Sequence, residues 1–354
     1  MKGQKRIRDY GITIGKMMPG KKNAITDVYG VKVGHCTIKD GGIQTGVTAV
    51  LPHGGNLFEQ KVMAAVYVIN GFGKSIGTVQ IEELGTMETP IILTNTLSVG
   101  TAGDALVEYM LQHNGDIGIT TGTVNPVVCE CNDGYLNDIR GRHVKKEHVF
   151  QAIQGAQQDF EEGGVGAGTG MSCYGLKGGI GTASRMIPLG EKEYTLGALV
   201  LSNFGRMEDL IVDGVKAGSI IVDVEKERET EKGSIIMVVA TDIPLSERQL
   251  KRTLKRTTVA LSRTGSYIGN GSGDIAIGFT TGNVVQHYEK EPIVTIGMLS
   301  EDKIDGVFRA VVEATEEAIL NSMVCAEPTT GRAGHTRACL KEYMDEIMKV
   351  KAQM

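Results

Sequence analysis

The strongest constraint on the fold of this chain is a series of short apolar runs, each closed by a residue that turns or breaks the backbone. They are "GVTAVLP" (46–52), "KVMAAVYVIN" (61–70), "PIILTN" (90–95), "YTLGALVLSNFG" (194–205) and "GSIIMVVATD" (233–242). Val, Ile and Leu fill them almost continuously, so they read as strands, several buried on both faces. Helical periodicity lies between them. In "SERQLKRTLKRTTVALSRTG" (246–265), Leu250, Leu254, Thr258 and Leu261 fall on one stripe, Ser246 is placed to cap the start, and Gly265 to stop the helix. "DGVFRAVVEATEEAILNSM" (305–323) repeats the pattern with Val307, Val311, Val312, Ile319 and Met323. Strand and helix alternate to the end, which predicts a layered α/β or α+β architecture. No internal repeat interrupts it.

Composition removes several classes of function. The chain of 354 residues can bury a sizeable core without disulfides, and its formal net charge is −5 with no long basic run. Nucleic acid is therefore not the expected partner. The basic amino terminus lacks the apolar core of a secretory signal, and no stretch approaches a membrane span, so the expectation is a soluble, cytoplasmic protein without membrane contact. The cysteines (Cys36, Cys129, Cys131, Cys173, Cys325, Cys339) are scattered, and "CEC" has no metal-finger spacing. The seven histidines form no metal-binding motif. The expectation is free thiols, no metal and no organic cofactor.

Glycine is the compositional oddity, with 48 residues embedded among apolar runs, where tight turns and close backbone approach explain them. "GGVGAGTGMSCYGLKGGIGTASR" (163–185) contains no dinucleotide fingerprint, and "NGFGKS" (70–75) has Val68 where a phosphate loop needs glycine. "VVCECNDGYLND" (127–138) sets Glu130, Asp133 and Asp138 after an apolar run, either as a site for a cation or substrate ammonium or as a solvated Asp-Gly turn. "YIGNGSGDIAIGFTTGN" (267–283) places Ser272 and Asp274 in a turn before a strand, either to handle a proton or only to cap the turn.

No histidine lies near a candidate serine in sequence. That draws attention to "DVEKERETEKG" (223–233), a charged run that reads as an exposed loop and ends where Ser234 opens an apolar strand. If the Gly233–Ser234 bond were cut, Ser234 would become an amino terminus. Its α-amine, with an unperturbed pKa of about 7.7–8.0, could then serve as the base that other serine hydrolases take from histidine.

Eight ordered blocks resemble one known family. They are "NAITDVYGVKVGH", "TGVTAVLP", "PIILTNTLSVG", "NPVVCECNDGYLNDIRG", "GAGTGMSCYGLKGGIGTASR", "GALVLSNFG", "GSIIMVVATDIPL" and "NGSGDIAI". The family is that of the self-cleaving serine aminopeptidases, which includes the L-aminopeptidase/D-amidase/D-esterase enzymes and the β-peptidyl aminopeptidases. The resemblance implies a single catalytic domain over 1–354, folded as a four-layer αββα sandwich like that of the amino-terminal nucleophile hydrolases but with different connectivity. It further implies self-cleavage into an α chain (1–233) and a β chain (234–354). In that reading Ser234 is the nucleophile, Ser272 and Asp274 assist proton transfer, and Asn203 stabilises the oxyanion. Glu130 would hold the free ammonium of a peptide, amino-acid amide or ester. Many relatives have glutamate where this chain has Asp274. The family also suggests a homo-oligomer of αβ units, with a tetramer as its expected number. Two other readings stay open at this point: a self-cleaving acyltransferase, and an uncleaved, non-enzymatic ligand-binding relative.

Overall fold

The computed structural model describes residues 3–221 and 233–354. The charged segment 223–232, read above as an exposed loop, lies outside the described residues.

Among the described residues, the first third of the chain builds most of one sheet. Strands β1 (Lys32–Asp40) and β2 (Ile43–Leu51) form a hairpin; β3 (Gln60–Gly71) then leaves for the second sheet. Helix α1 (Thr78–Leu84), strand β4 (Thr86–Met87), strand β5 (Ile91–Asn95), helix α2 (Val99–His113) and strand β6 (Val127–Cys131) follow. The four-stranded sheet has the order β1-β2-β5-β6 and carries α2 and α3 (Lys146–Gln154) on its outer face.

The remainder builds the larger sheet. A tight hairpin of β7 (Ser172–Cys173) and β8 (Leu176–Lys177) leads into the long strands β9 (Gly179–Leu189) and β10 (Lys192–Asn203). Helix α4 (Ala217–Ile221) precedes the undescribed segment, and β11 (Ser234–Thr241) follows it. Helices α5 (Glu247–Leu254) and α6 (Thr257–Arg263), strand β12 (Gly273–Gln286) and helix α7 (Ile304–Val324) come next. A short ladder of β13 (Thr329–Thr330) with β14 (Thr336–Arg337) and helix α8 (Met344–Lys351) end the chain. The six-stranded sheet has the order β4-β3-β12-β11-β10-β9.

Side-chain alternation along each strand assigns the layers. On β11, Ile236, Val238 and Ala240 pack between the two sheets with Val127, Cys129 and Cys131 of β6. Ile235, Met237 and Val239 pack on the other face, against Val311, Ala314 and Ala318 of α7. Both faces of β11 are buried, which explains its unbroken apolar sequence. The order is helices, sheet, sheet, helices: the expected αββα sandwich.

Ser246 caps α5 as its sequence suggested, accepting from Gln249 N–H in a capping box. The periodic stretch is nevertheless two helices, because the chain breaks at Lys255–Arg256. That break moves the stripe by one residue: Thr257 is buried with Leu254, Ala260 and Leu261, while Thr258 is only half-buried. Helix α7 buries Val307, Val311, Ile319 and Met323 as its period requires, and also the carboxylates Glu313 and Glu317. These meet a fully buried Arg185 from β9, at 3.1 Å and 2.7 Å respectively, and Arg8 closes the cluster on Glu317 at 2.7 Å.

Candidate active site

The site forms where the ends of three adjacent strands coincide. Antiparallel pairing sets Asn203 of β10 opposite Ser234 of β11, and parallel pairing sets Ser234 beside Gly273 of β12. Ser234 and Asn203 share the parity of Ile236 and Leu201, so both face the space between the sheets. Hydrogen bonding thus gathers residues far apart in sequence into one row.

The Ser234 hydroxyl is bonded to the carbonyl oxygen of its own preceding residue, Gly233, at 2.7 Å. The N–H of Gly273 points at both atoms, lying 3.1 Å from the Gly233 carbonyl oxygen and 3.2 Å from Ser234 Oγ. One hydroxyl and one backbone donor therefore meet on the Gly233–Ser234 peptide. Glycine is required on both sides. A Cβ at Gly233 would lie 2.2 Å from the Asn203 carbonyl oxygen, and a Cβ at Gly273 would lie 2.8 Å from the Phe72 carbonyl oxygen and 3.0 Å from Ser234 Oγ.

Ser272 and Asp274 flank Gly273, and the Ser272 hydroxyl donates to Asp274 Oδ1 at 2.6 Å. Both side chains are buried. The aspartate is long enough to reach the serine.

Asn203 is fixed at both ends of its amide. Its Oδ1 accepts the N–H of Ser172 at 2.9 Å, and its Nδ2 donates to the Asn132 carbonyl at 3.0 Å. These partners define the amide's orientation, with the NH2 group on the side of the β6 exit.

Glu130 ends the opposite sheet and is 2% exposed. Its Oε1 accepts the backbone N–H of Lys74 at 2.9 Å, and its Oε2 accepts the hydroxyl of Thr96. Gly73 lies between this carboxylate and the serine row: a Cβ there would stand 3.7 Å from Glu130 Oε1 and 3.8 Å from Gly273 Cα. The structure thus brings Gly233, Ser234, Asn203 and Gly273 together and sets the bonded Ser272–Asp274 pair on either side of Gly273, with Glu130 across a gap left by a missing side chain.

The other carboxylates of 127–138 go elsewhere. Asp133 is buried against Asn137, and burial pushes its carboxyl up to about 7 against the hydrogen bonds of Thr45 and Asn137. Asp138 pairs with His143 at 3.0 Å. No group of three or more His, Cys, Asp or Glu side chains among the described residues is arranged to hold a metal ion. Cys129 and Cys131 are buried free thiols, and burial raises Cys129 to about 12. No helix among the described residues is long and apolar enough to cross a membrane.

Sequence reading did not single out Gly273, Ser172, Asn132, Lys74 or Thr96. Four of these act through backbone atoms, which leave no residue-type signal. Only Gly273 had a visible cue, its position inside "GSGD".

Comparison with known proteins gives similar sequences and similar folds. The β-peptidyl aminopeptidase BapA of Sphingosinicella microcystinivorans is 40% identical over 372 residues, covering 96% of this chain and 92% of that protein. Among solved structures, the PH0078 protein of Pyrococcus horikoshii is 53% identical with a TM-score of 0.94, covering 99% of this chain and 100% of that one. The L-aminopeptidase D-Ala-esterase/amidase of Ochrobactrum anthropi, described as a variant of the Ntn hydrolase fold, is 35% identical with a TM-score of 0.91, covering 98% and 99%. The family model of peptidase family S58 matches residues 23–337, so the chain belongs to that family.

Proposed function

We propose that the protein is a serine aminopeptidase that cleaves itself between Gly233 and Ser234 and then releases amino-terminal residues from peptides, amides or esters. The observation that carries this is the contact of the Ser234 hydroxyl with the Gly233 carbonyl under the Gly273 N–H donor. In self-cleavage, Ser234 Oγ attacks the Gly233 carbonyl carbon while Gly273 N–H stabilises the charge growing on its oxygen. The C–N bond breaks, the nitrogen takes up a proton, and the chain is held by an ester. Water hydrolyses that ester, freeing the Gly233 carboxylate and the Ser234 α-amine.

In turnover that amine accepts the proton of Ser234 Oγ, with Ser272 and Asp274 as neighbouring hydroxyl and acid. Oγ attacks the substrate carbonyl, and the Asn203 Nδ2 group supports the oxyanion. The leaving amine departs with a proton, and water releases the acyl group. Glu130 supplies the negative charge for a substrate ammonium, which restricts the site to amino-terminal residues. The names of the relatives bring β-amino acyl and D-alanyl substrates within the proposal. A homo-oligomer of cleaved αβ units and a cytoplasmic location belong to the same reading. The exposed apolar residues Ile293, Val294 and Met298 are of the kind a second copy would cover.

The test is mass analysis and amino-terminal sequencing of the purified protein on a denaturing gel. Two fragments, 1–233 and 234–354, with the second starting Ser-Ile-Ile-Met, are expected. An intact chain with full peptidase activity overturns the proposal. Adding acceptor amines and comparing aminolysis with hydrolysis separates a peptidase from an acyltransferase.

A further inference from the structure

Lys177 is fully buried, and among the described residues no carboxylate is bonded to it. Its ammonium instead donates to three backbone carbonyls: Gly168 at 2.8 Å, Met171 at 3.0 Å and Gly178 at 2.8 Å. A buried ammonium is costly unless its protons are fully used, and here each has an acceptor. The arrangement is built by the β7–β8 hairpin, whose two-residue turn at Tyr174 and Gly175 has φ of 50° and 69°. That turn sets Ser172 opposite Lys177.

The Met171 carbonyl and the Ser172 N–H belong to the same peptide unit. Lys177 grips that unit at its oxygen, and its N–H is the donor to Asn203 Oδ1 at 2.9 Å. A cation on the carbonyl of an amide polarises the amide and strengthens its N–H as a donor. The same effect repeats in the Asn203 carboxamide, whose NH2 group becomes the better donor. Other bonds hold the hairpin on the end of β10: Tyr174 N–H donates to the Phe204 carbonyl at 2.7 Å, and Gly179 N–H donates to Ser202 Oγ at 3.3 Å.

Resting on the assignment of Asn203 as the oxyanion donor, we propose that Lys177 is a positioning residue for Asn203, acting through the single Met171–Ser172 peptide to orient and polarise its carboxamide. Burial first, and Lys39 after it, draw the Lys177 ammonium down to about 7 against the opposing effects of Asp133 and Cys173. The three carbonyl acceptors favour the charged form that this role needs.

The experiment is a double-mutant cycle on the processed protein, using an aminoacyl anilide with a free amino terminus. K177M keeps the stem and removes the donors. It is expected to lower kcat roughly tenfold or more with KM changed by less than about threefold, because the affected donor works on the transition state. In an N203A background K177M is expected to cause no further loss of kcat. A kcat loss of equal factor in both backgrounds overturns the proposal, as does an unchanged kcat in K177M. A folded K177M that stays uncleaved while N203A is cleaved also overturns it. If K177M does not fold, K177Q, which retains two N–H donors, takes its place in the cycle. Failure of both to fold makes the residue structural and overturns the positioning role. An N203A enzyme with the parent kcat would instead refute the oxyanion assignment beneath the proposal, a result distinguishable from additivity.

Discussion

Gly273 lies beside Ser234 in parallel register, and its N–H is directed at both the Ser234 hydroxyl and the carbonyl of the preceding peptide. The serine's parallel neighbour thus brings a donor to the bond that the serine would break, and leaves room for Oγ by having no side chain.

Gly273→Ala tests that relationship. Its φ is not in the left-handed region, so the effect of alanine is steric: the new methyl would press on the Phe72 carbonyl oxygen at 2.8 Å as well as on the serine. The added methyl, 3.0 Å from Ser234 Oγ, is expected to slow formation of the two fragments by roughly tenfold or more, as a displacement of about 1 Å at a reacting atom does. The half-life of the intact chain on a denaturing gel measures it, and cleavage at the parent rate contradicts it.

Ser234→Ala is expected to leave an intact chain with no measurable peptidase activity. The Ser234 hydroxyl is small, and when it is removed its two partners, the Gly273 N–H and the Gly233 carbonyl, keep each other at 3.1 Å, so the thermal midpoint should change by no more than a few degrees. Fragments from this variant would show that another group performs the cut.

Glu130→Gln keeps the shape but removes the charge: its single amide oxygen can still accept the Lys74 N–H, and its NH2 group would then donate to the Thr96 hydroxyl, which turns to accept. KM for substrates with a free amino terminus should rise roughly tenfold to a hundredfold, the value of a charge-assisted hydrogen bond of about 1.5–3 kcal/mol. If substrates with a free amine keep the parent KM, Glu130 is not the ammonium anchor.

Gly73→Ala narrows the gap between that anchor and Gly273 without a backbone penalty, since every atom near the new methyl is at 3.4 Å or more. The variant should fold and cleave itself normally but bind substrate more weakly. Comparing self-cleavage half-life with KM separates the two effects, and equal losses in both would argue against a role in the substrate gap.

The Arg185 cluster governs stability rather than chemistry. Burial alone would raise the Glu317 carboxyl, but Arg8, Arg185 and Asn23 outweigh it and hold its pKa below the ordinary value. A depressed carboxylate contributes stability that is present above its unfolded pKa of about 4.3 and is lost as pH falls through the folded value. Melting temperature should therefore drop below about pH 4 in the parent, and less steeply in Glu317→Gln. Arg185→Met removes the buried cation that Glu313 and Glu317 share, leaving Glu317 to Arg8 and Glu313 to the Lys16 and Met17 N–H groups, and should cost about 3–5 kcal/mol at neutral pH. A neutral-pH loss under about 1 kcal/mol would show that the cluster relaxes or admits water.

Much of the architecture was legible because burial on both faces of a strand writes itself into composition. "SIIMVVAT" could hardly be anything but an interior strand, and α7 declared its inward face through Val307, Val311, Ile319 and Met323. The division at Lys255–Arg256 was not legible, because the apolar spacing continues across it with a slip of one residue. Ser234, Glu130, Ser272 and Asp274 stand out beside glycine-rich or charged stretches, Asn203 only through the ordered blocks that match a family, and the family resemblance alone implies their roles. Their residue types are common in turns, and none carried the assignment by itself.

The sequence by itself determined the alternation of buried strands and amphipathic helices, the absence of a histidine close to Ser234 along the chain, and the glycine before Ser234. It did so because periodicity and residue type are local properties of the chain. Tertiary structure decided what surrounds the Gly233–Ser234 bond: the Gly273 N–H, the Ser172 N–H on Asn203, and Lys177 behind the Met171 carbonyl. Those are contacts of backbone atoms, which every residue possesses, so only strand register could select which of them reach the site.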